Sequence, residues 1–193
     1  MNNKQKTILL LAAVIIIIMY ILKDTEEVTT ETKTTSGGGS SSGGGSSSLK
    51  DFVNKYKSFA LATQARYKVP FQVTLAQAAL ESGYGKSAPK NNFFGIKDTA
   101  AIPGVQYLTT QEYNSITKKM ETKKLAFEVF ESPETAFNEH AKLLNRVYSH
   151  AFVYADNPKK FAEQLTIRSY PKYATDPGYY QKLVKLIDQI NAV

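Results

Sequence analysis

The run "LAQAALES" at 75–82 constrains this chain more than any other stretch. It is apolar nearly all round, and a helix of that kind cannot lie on a surface; it must be wrapped by other elements. "KVPF" at 68–71 breaks whatever precedes it. Thr74 is the expected cap of the new helix and Gly83 its expected stop.

Wrapping elements are present in the sequence. Phe52, Val53, Tyr56, Phe59, Ala60 and Thr63 recur at helical spacing, which predicts an amphipathic helix over 49–67. "SPE" puts Ser132 at a cap with Pro133 in the first turn, and Phe137, Ala141, Leu144 and Val147 then share one face. Asn157-Pro158 opens another helix. Asp176-Pro177 opens the last, with Tyr180, Leu183, Val184, Ile187 and Ile190 expected to face inward. Proline suits these starts because its missing N–H is not needed there. Between Asn91 and Phe130 the texture changes. Gly95, Pro103 and Gly104 punctuate it, while "VQYLTTQEY" and "KLAFEVF" alternate with a period of two, which predicts a loop and two or three antiparallel strands. The fold class is therefore α+β: a mainly helical, lysozyme-like domain with a small antiparallel β-lobe.

The N-terminal quarter is of another kind. Lys4 and Lys6 precede an uncharged run from Thr7 to Leu22. Those residues span roughly 24 Å as a helix, short of a roughly 30 Å hydrocarbon core, and Met19, Tyr20 and a snorkelling Lys23 can extend it. No small-x-small cleavage site follows, so residues 1–22 read as a transmembrane signal anchor rather than a removed signal peptide. Basic residues ahead of the span favour an inside N-terminus, which sends the rest out of the cytoplasm, to a periplasm or cell surface. Residues 23–48 are polar, mildly acidic, then Gly/Ser-rich, and read as a disordered tether with an end-to-end distance of roughly 28 Å.

Residues 49–193 are long enough for a real core. The chain carries +7, and residues 1–48 balance four lysines against four acids, so the whole excess lies in 49–193. A basic domain outside the cytoplasm suits a polyanionic partner, or simply a solvated surface. With no cysteine, disulfides, thiolate metal sites and a cysteine nucleophile are excluded. Two histidines, His140 and His150, make a histidine-rich metal site an unpromising reading.

"ESGYGKS" at 81–87 offers two chemistries. A phosphate loop needs Gly, four residues, then Gly-Lys-Ser/Thr, running strand to loop to helix. Here the first position falls on Leu80, inside a helix, and the order is helix then loop, so that reading fails. A formal nucleophile elbow at 39–43 lies in the Gly/Ser tract and carries nothing. Glu81, by contrast, ends an apolar helix near the negative end of its dipole. Partial burial and the dipole both disfavour the carboxylate, and a carboxylic acid kept protonated near neutral pH is what glycosidic cleavage requires. An exposed glutamate at a fraying helix end is the plain alternative. Gly83 and Gly85 would clear side chains from the approach of a bulky polymer.

Four blocks together carry a more specific likeness. "AQAALESGYGKSAPKNNFFGIK" at 76–97, "TTQEY" at 109–113, "FEVFESPETAFNEHAKLL" at 127–144 and "YPKYATDPGYYQKL" at 170–183 occur in the order found in glycoside hydrolase family 73. Residues 49–193 resemble that family of bacterial endo-β-N-acetylglucosaminidases, which includes flagellar and autolysin wall hydrolases. The resemblance implies that Glu81 is the general acid, that Tyr173 lines the catalytic centre, and that Glu112 is the second carboxylate, with Glu121, Glu128 and Asp98 as rivals. A substrate acetamido group could instead take the second role. Tyr84, Asn92, Phe94 and Tyr170 stand as substrate-side candidates. Asn92 could equally brace its loop, Phe93 and Phe94 could equally be core, and Tyr84 stands where many relatives have tryptophan. His140 reads as a core histidine and Asp176 as a helix cap.

The expectation is thus a membrane-tethered peptidoglycan hydrolase. It would cut the β-1,4 bond between N-acetylglucosamine and N-acetylmuramic acid, without metal or cofactor, with no nucleic-acid partner, and as a monomer. The alternatives are a muramidase or lytic transglycosylase on the same scaffold, and a wall-binding module without activity.

Overall fold

A computed structural model describes residues 44–98, 104–114, 119–166, 173–174 and 176–193, with backbone alone for 44–48, 111–114 and 119–120. The expected span at 1–22, most of the tether and Tyr170 lie outside the described residues. Among the described residues no helix is long and apolar enough to cross a membrane.

Among the described residues, five α-helices, two short 3-10 helices and one two-stranded sheet make up the fold. The α-helices are α1 (Gly44–Tyr67), α2 (Phe71–Glu81), α3 (Pro133–Val147), α4 (Pro158–Thr166) and α5 (Tyr179–Asn191). The strands are β1 (Gln106–Asn114) and β2 (Lys119–Phe127), joined antiparallel from Gln106↔Phe127 to Asn114↔Lys119. A single bridge, Lys97↔Phe127, and the bonds Asp98 N–H to Ala126 O and Glu128 N–H to Ile96 O tie β2 to the loop after α2.

α2 is the buried centre that its composition demands. Eight of its residues, from Val73 to Ala79 and again Glu81, are buried, and it packs against α1, α4 and α5. α1 begins at Gly44, so its first turn takes in the last residues that the sequence assigned to the tether. Thr74 is not the cap of α2: the helix starts at Phe71 after Pro70, and the Thr74 hydroxyl donates back to Pro70 O from inside the first turn. Proline ahead of the first turn and the acceptor Gln64 Oε1, which takes the Phe71 N–H at 2.6 Å, satisfy that end instead.

The other starts follow their local chemistry. Ser132 caps α3 by accepting the Thr135 N–H at 3.1 Å, and Asn157 Oδ1 accepts the Lys160 N–H at 3.0 Å at the head of α4. α5 departs from expectation. Asp176 is not its cap; Gly178 holds that position without a side-chain bond. Asp176 Oδ1 instead accepts the Gly178 N–H at 2.8 Å, while Oδ2 takes Lys182 Nζ at 2.8 Å. Burial pushes the Asp176 carboxyl upward, but these hydrogen bonds and the lysine charge outweigh it and hold it below its ordinary range. The helix consequently starts one phase later, and Tyr179, Leu183, Leu186, Ile187 and Ile190 are its buried face, with Tyr180 and Val184 half-buried.

The core is continuous across α1, α2, α3 and the loop after α2. Phe137 sits at its middle, with ring centroids of Phe94 at 5.2 Å, Phe93 at 5.7 Å, and Tyr56 and Phe59 at 6.2 Å. Phe137→Ala should therefore cost about 3–5 kcal/mol, the range for emptying a buried phenylalanine site. Urea unfolding followed by circular dichroism checks it, and a loss below about 1 kcal/mol would show that the aromatic cluster is not the core's keystone.

Candidate active site

The centre of the site is the last residue of α2. Glu81 is only 4% exposed, and Tyr179 from α5, 98 residues on, donates its hydroxyl to Oε1 at 2.8 Å. Gln77, one turn earlier on α2, donates Nε2 to the same phenol oxygen at 3.2 Å. Burial pushes the Glu81 carboxyl well above its ordinary range, against the hydrogen bond from Tyr179 and the charge of Lys182, both of which pull it down. Desolvation wins because the two opposing groups are a neutral phenol and a lysine already paired to Asp176. The carboxyl is thus raised, as its place in the sequence predicts, with fuller burial than the partial burial expected.

The loop that follows is built on left-handed backbone. Gly83, Tyr84 and Gly85 have φ of 55°, 60° and 81° in succession. Ser82 anchors the turn: its hydroxyl donates to Ala78 O and accepts the Gly85 N–H at 2.8 Å. Tyr84 N–H closes on Ala79 O at 2.8 Å. Glycine at 85 has a second reason, because a Cβ there would meet the Phe52 ring at 3.4 Å and Tyr56 at 3.5 Å. Both glycines thus hold left-handed backbone, and Gly85 also lets the rings of α1 pack close. Tyr84 is 38% exposed and holds a conformation that costs a non-glycine residue about 1–2 kcal/mol.

Several candidates fall elsewhere than expected. Phe94 is fully buried against Phe137 and the His140 ring, stacked at 3.8 Å and 4°, so it is core and no sugar platform; Phe93 is core too. Asn92 is buried and fully engaged, its Nδ2 donating to Ile96 O at 2.9 Å and Glu128 O at 3.0 Å and its Oδ1 accepting Ile96 N–H at 2.9 Å. It braces the junction between the loop and the end of β2. Tyr173 is 2% exposed, and its hydroxyl meets His140 Nε2 at 3.3 Å rather than Glu81. Its ring stacks on Tyr179 at 5.8 Å and 19°, one layer behind the acid.

His140 is a core histidine, as expected, and burial lowers its pKa to about 3, so it is neutral; its Nδ1 finds no partner among the described residues. The residue that sequence reasoning missed is Tyr179. Counting back from Leu183 and Ile187 by four puts it on the buried face, a signal overridden by placing Tyr180 there.

The candidates for the second carboxylate lie on or beside the strand pair. Glu112 stands opposite Glu121 in the β1–β2 register, with its side chain outside the described atoms. Glu121 pairs with Lys123 at 3.4 Å. Glu128 is half-buried and raised above its ordinary range, by burial first and then by Glu139 and Asp98.

The linkage sign for Glu81 is definite. Its folded-state pKa lies above the ordinary 4.5, so the folded state binds more protons than the unfolded one as pH rises from that value, and stability falls. Glu81→Gln should accordingly unfold at a higher temperature than wild type at pH 7, by about 2–4 °C per kcal/mol recovered, and the difference should vanish below about pH 4. Thermal unfolding across pH checks it; a variant less stable at pH 7 would mean the carboxylate is accommodated after all.

Comparison with known proteins agrees with this arrangement. The defining pattern of the glucosaminidase family, mannosyl-glycoprotein endo-β-N-acetylglucosaminidase, matches residues 57–192. The peptidoglycan hydrolase FlgJ of Salmonella typhimurium is 36% identical over 154 residues, which are 75% of this chain and 47% of that protein. A probable N-acetylmuramidase of Lactococcus lactis is 35% identical over 127 residues, covering 62% of this chain and 28% of that protein. This chain therefore spans less than half the length of these relatives. The catalytic domain of the autolysin Auto from Listeria monocytogenes superposes with a TM-score of 0.65 at 26% identity, over 90% of this chain and 94% of that domain. With a lysozyme-like helical fold, a buried acid at the end of its central helix and the family pattern across 57–192, the chain belongs to the glucosaminidase family of glycoside hydrolases.

Proposed function

We propose that the protein hydrolyses peptidoglycan at the β-1,4 bond between N-acetylglucosamine and N-acetylmuramic acid, with Glu81 as general acid. The observation that carries this reading is the buried Glu81 carboxyl at the edge of the Ser82–Gly85 turn, which desolvation raises well above its ordinary range. In the first step the Glu81 O–H bond breaks and its proton passes to the glycosidic oxygen as the sugar leaves. The carboxylate so formed is stabilised by the Tyr179 hydroxyl and by Lys182. Glu112, on the β-lobe, is proposed as the second carboxylate, with the substrate acetamido group as the other source of that role. Tyr84, held exposed at a conformational cost, is proposed to stack on a sugar face, since backbone strain of that kind persists where a function maintains it.

The N-terminal segment supports a wider proposal. Lys4 and Lys6 ahead of the apolar run would anchor the protein with its domain outside the cytoplasm, and the polar stretch beyond Leu22 would confine cutting to wall near the membrane. The basic excess suits anionic wall polymers. A monomer suffices, because every group invoked comes from one chain.

A second reading, cleavage after N-acetylmuramic acid, draws on the likeness to the Lactococcus relative. Digestion of purified peptidoglycan, followed by borohydride reduction and mass spectrometry, separates the two. Wild type should release chains ending in reduced N-acetylglucosamine, and Glu81→Gln should slow release about 10²- to 10⁴-fold. Reduced muramic acid or anhydro ends would overturn the bond assignment. Wall bound without any release would overturn the enzyme.

A further inference from the structure

Proton delivery by Glu81 uses one of its two oxygens and leaves open how the proton is kept there. Oε1 is occupied as an acceptor by Tyr179, at 2.8 Å. The Tyr179 phenol has one proton, and Gln77 Nε2 already fills an acceptor site on its oxygen at 3.2 Å. With the amide nitrogen on that side, the phenol proton is directed to Glu81 alone, while Gln77 Oε1 stays buried without a partner among the described residues. An unpartnered buried acceptor is costly, so an orientation that keeps one is maintained by what its other end does. Tyr173 cannot substitute: its ring stacks behind Tyr179 and its hydroxyl is turned to His140.

We propose that Tyr179, oriented by Gln77, is the positioning residue of the acid: by holding Oε1 it leaves Oε2 as the oxygen that carries and delivers the proton. The proposal rests on Glu81 being the acid. Proton balance is simple. Oε2–H breaks, the proton goes to the leaving glycosidic oxygen, and the electron pair stays on the carboxyl. Tyr179 keeps its own proton, since burial and then the Glu81 charge push its phenol well above the ordinary range. Its hydrogen bond strengthens as the carboxylate forms, so the stabilisation belongs to the transition state more than to the ground state.

Among the described residues, the groups that face Glu81 are these. α5 presents Tyr179 and Lys182, with Lys182 tied to Asp176, and the segment before α5 presents Tyr173. From α1, Tyr56 packs on the following turn, and the charged residues of α1 and α4 are exposed or half-buried.

The test uses the full chain in detergent with soluble glycan strands, as pH–rate profiles of wild type, Glu81→Gln, Tyr179→Phe and Gln77→Met. An acid works only while protonated, so activity falls as pH rises through its pKa, and losing a donor to the carboxylate raises that pKa. Tyr179→Phe keeps the ring stack on Tyr173; it should lower kcat about 10- to 100-fold with KM little changed and move the alkaline limb up by about one pH unit. Gln77→Met should act in the same direction by a few-fold. Folded Tyr179→Phe with an unmoved alkaline limb, whether active or slowed, overturns the proposal while an inactive Glu81→Gln keeps the acid assignment. Full activity in Glu81→Gln overturns the acid itself. If Tyr179→Phe does not fold, Gln77→Met decides: an unmoved limb overturns the proposal.

Discussion

The hydrogen bond between Tyr179 and Glu81 joins the two halves of the domain at the point where its chemistry is set. α2 can be central only because it is apolar around its circumference, and that same property leaves its terminal carboxyl without water. A bare buried carboxylate would be intolerable, and a carboxyl exposed at the rim would be an ordinary acid. The fold takes the course between these. It buries the group, which raises its pKa, and gives it a neutral donor, Tyr179, from a helix that the turn at Asp176 positions. The packing of α5 on α2 is therefore also what sets the state of the acid.

Around this bond the domain divides its labour. An aromatic layer of Tyr56, Phe93, Phe94 and Phe137 fixes the turn after α2 from below. A second, polar layer of Gln77, Tyr179, Tyr173 and His140 runs beneath the carboxyl. Asn92 holds its own loop through two bonds to Ile96 and ties that loop to the end of β2 through a third, to Glu128 O.

Much of this was legible in the sequence, for identifiable reasons. The helices of 49–67 and 133–147 and the strand β1 declare themselves by period, and Ser132 and Asn157 by cap chemistry, whereas β2 runs Lys119–Phe127 and only its second half falls in the alternating stretch 124–130. Glu81 is legible because an all-apolar helix that ends in an acid carries that acid into the protein interior with it. What escaped is tertiary. Thr74 looks like a cap until Gln64 satisfies the helix start from α1. Asp176 looks like a cap until Lys182 claims one oxygen. Phe94 looks like a platform until His140 is found stacked on it. Tyr179 and Tyr180 are neighbours that only the phase of α5 tells apart, and that phase depends on the turn before it.

Everything proposed for the acid depends on the Glu81 carboxyl being protonated in the folded protein near neutral pH. A carbon-13 NMR titration of that carboxyl, in selectively labelled wild-type protein, tests this most directly. The predicted result is a midpoint well above the ordinary value of 4.5, with the neighbouring Tyr179 phenol unionised throughout. A midpoint at or below 4.5 would contradict it, because the buried end of α2 would then hold a carboxylate and could not supply the proton.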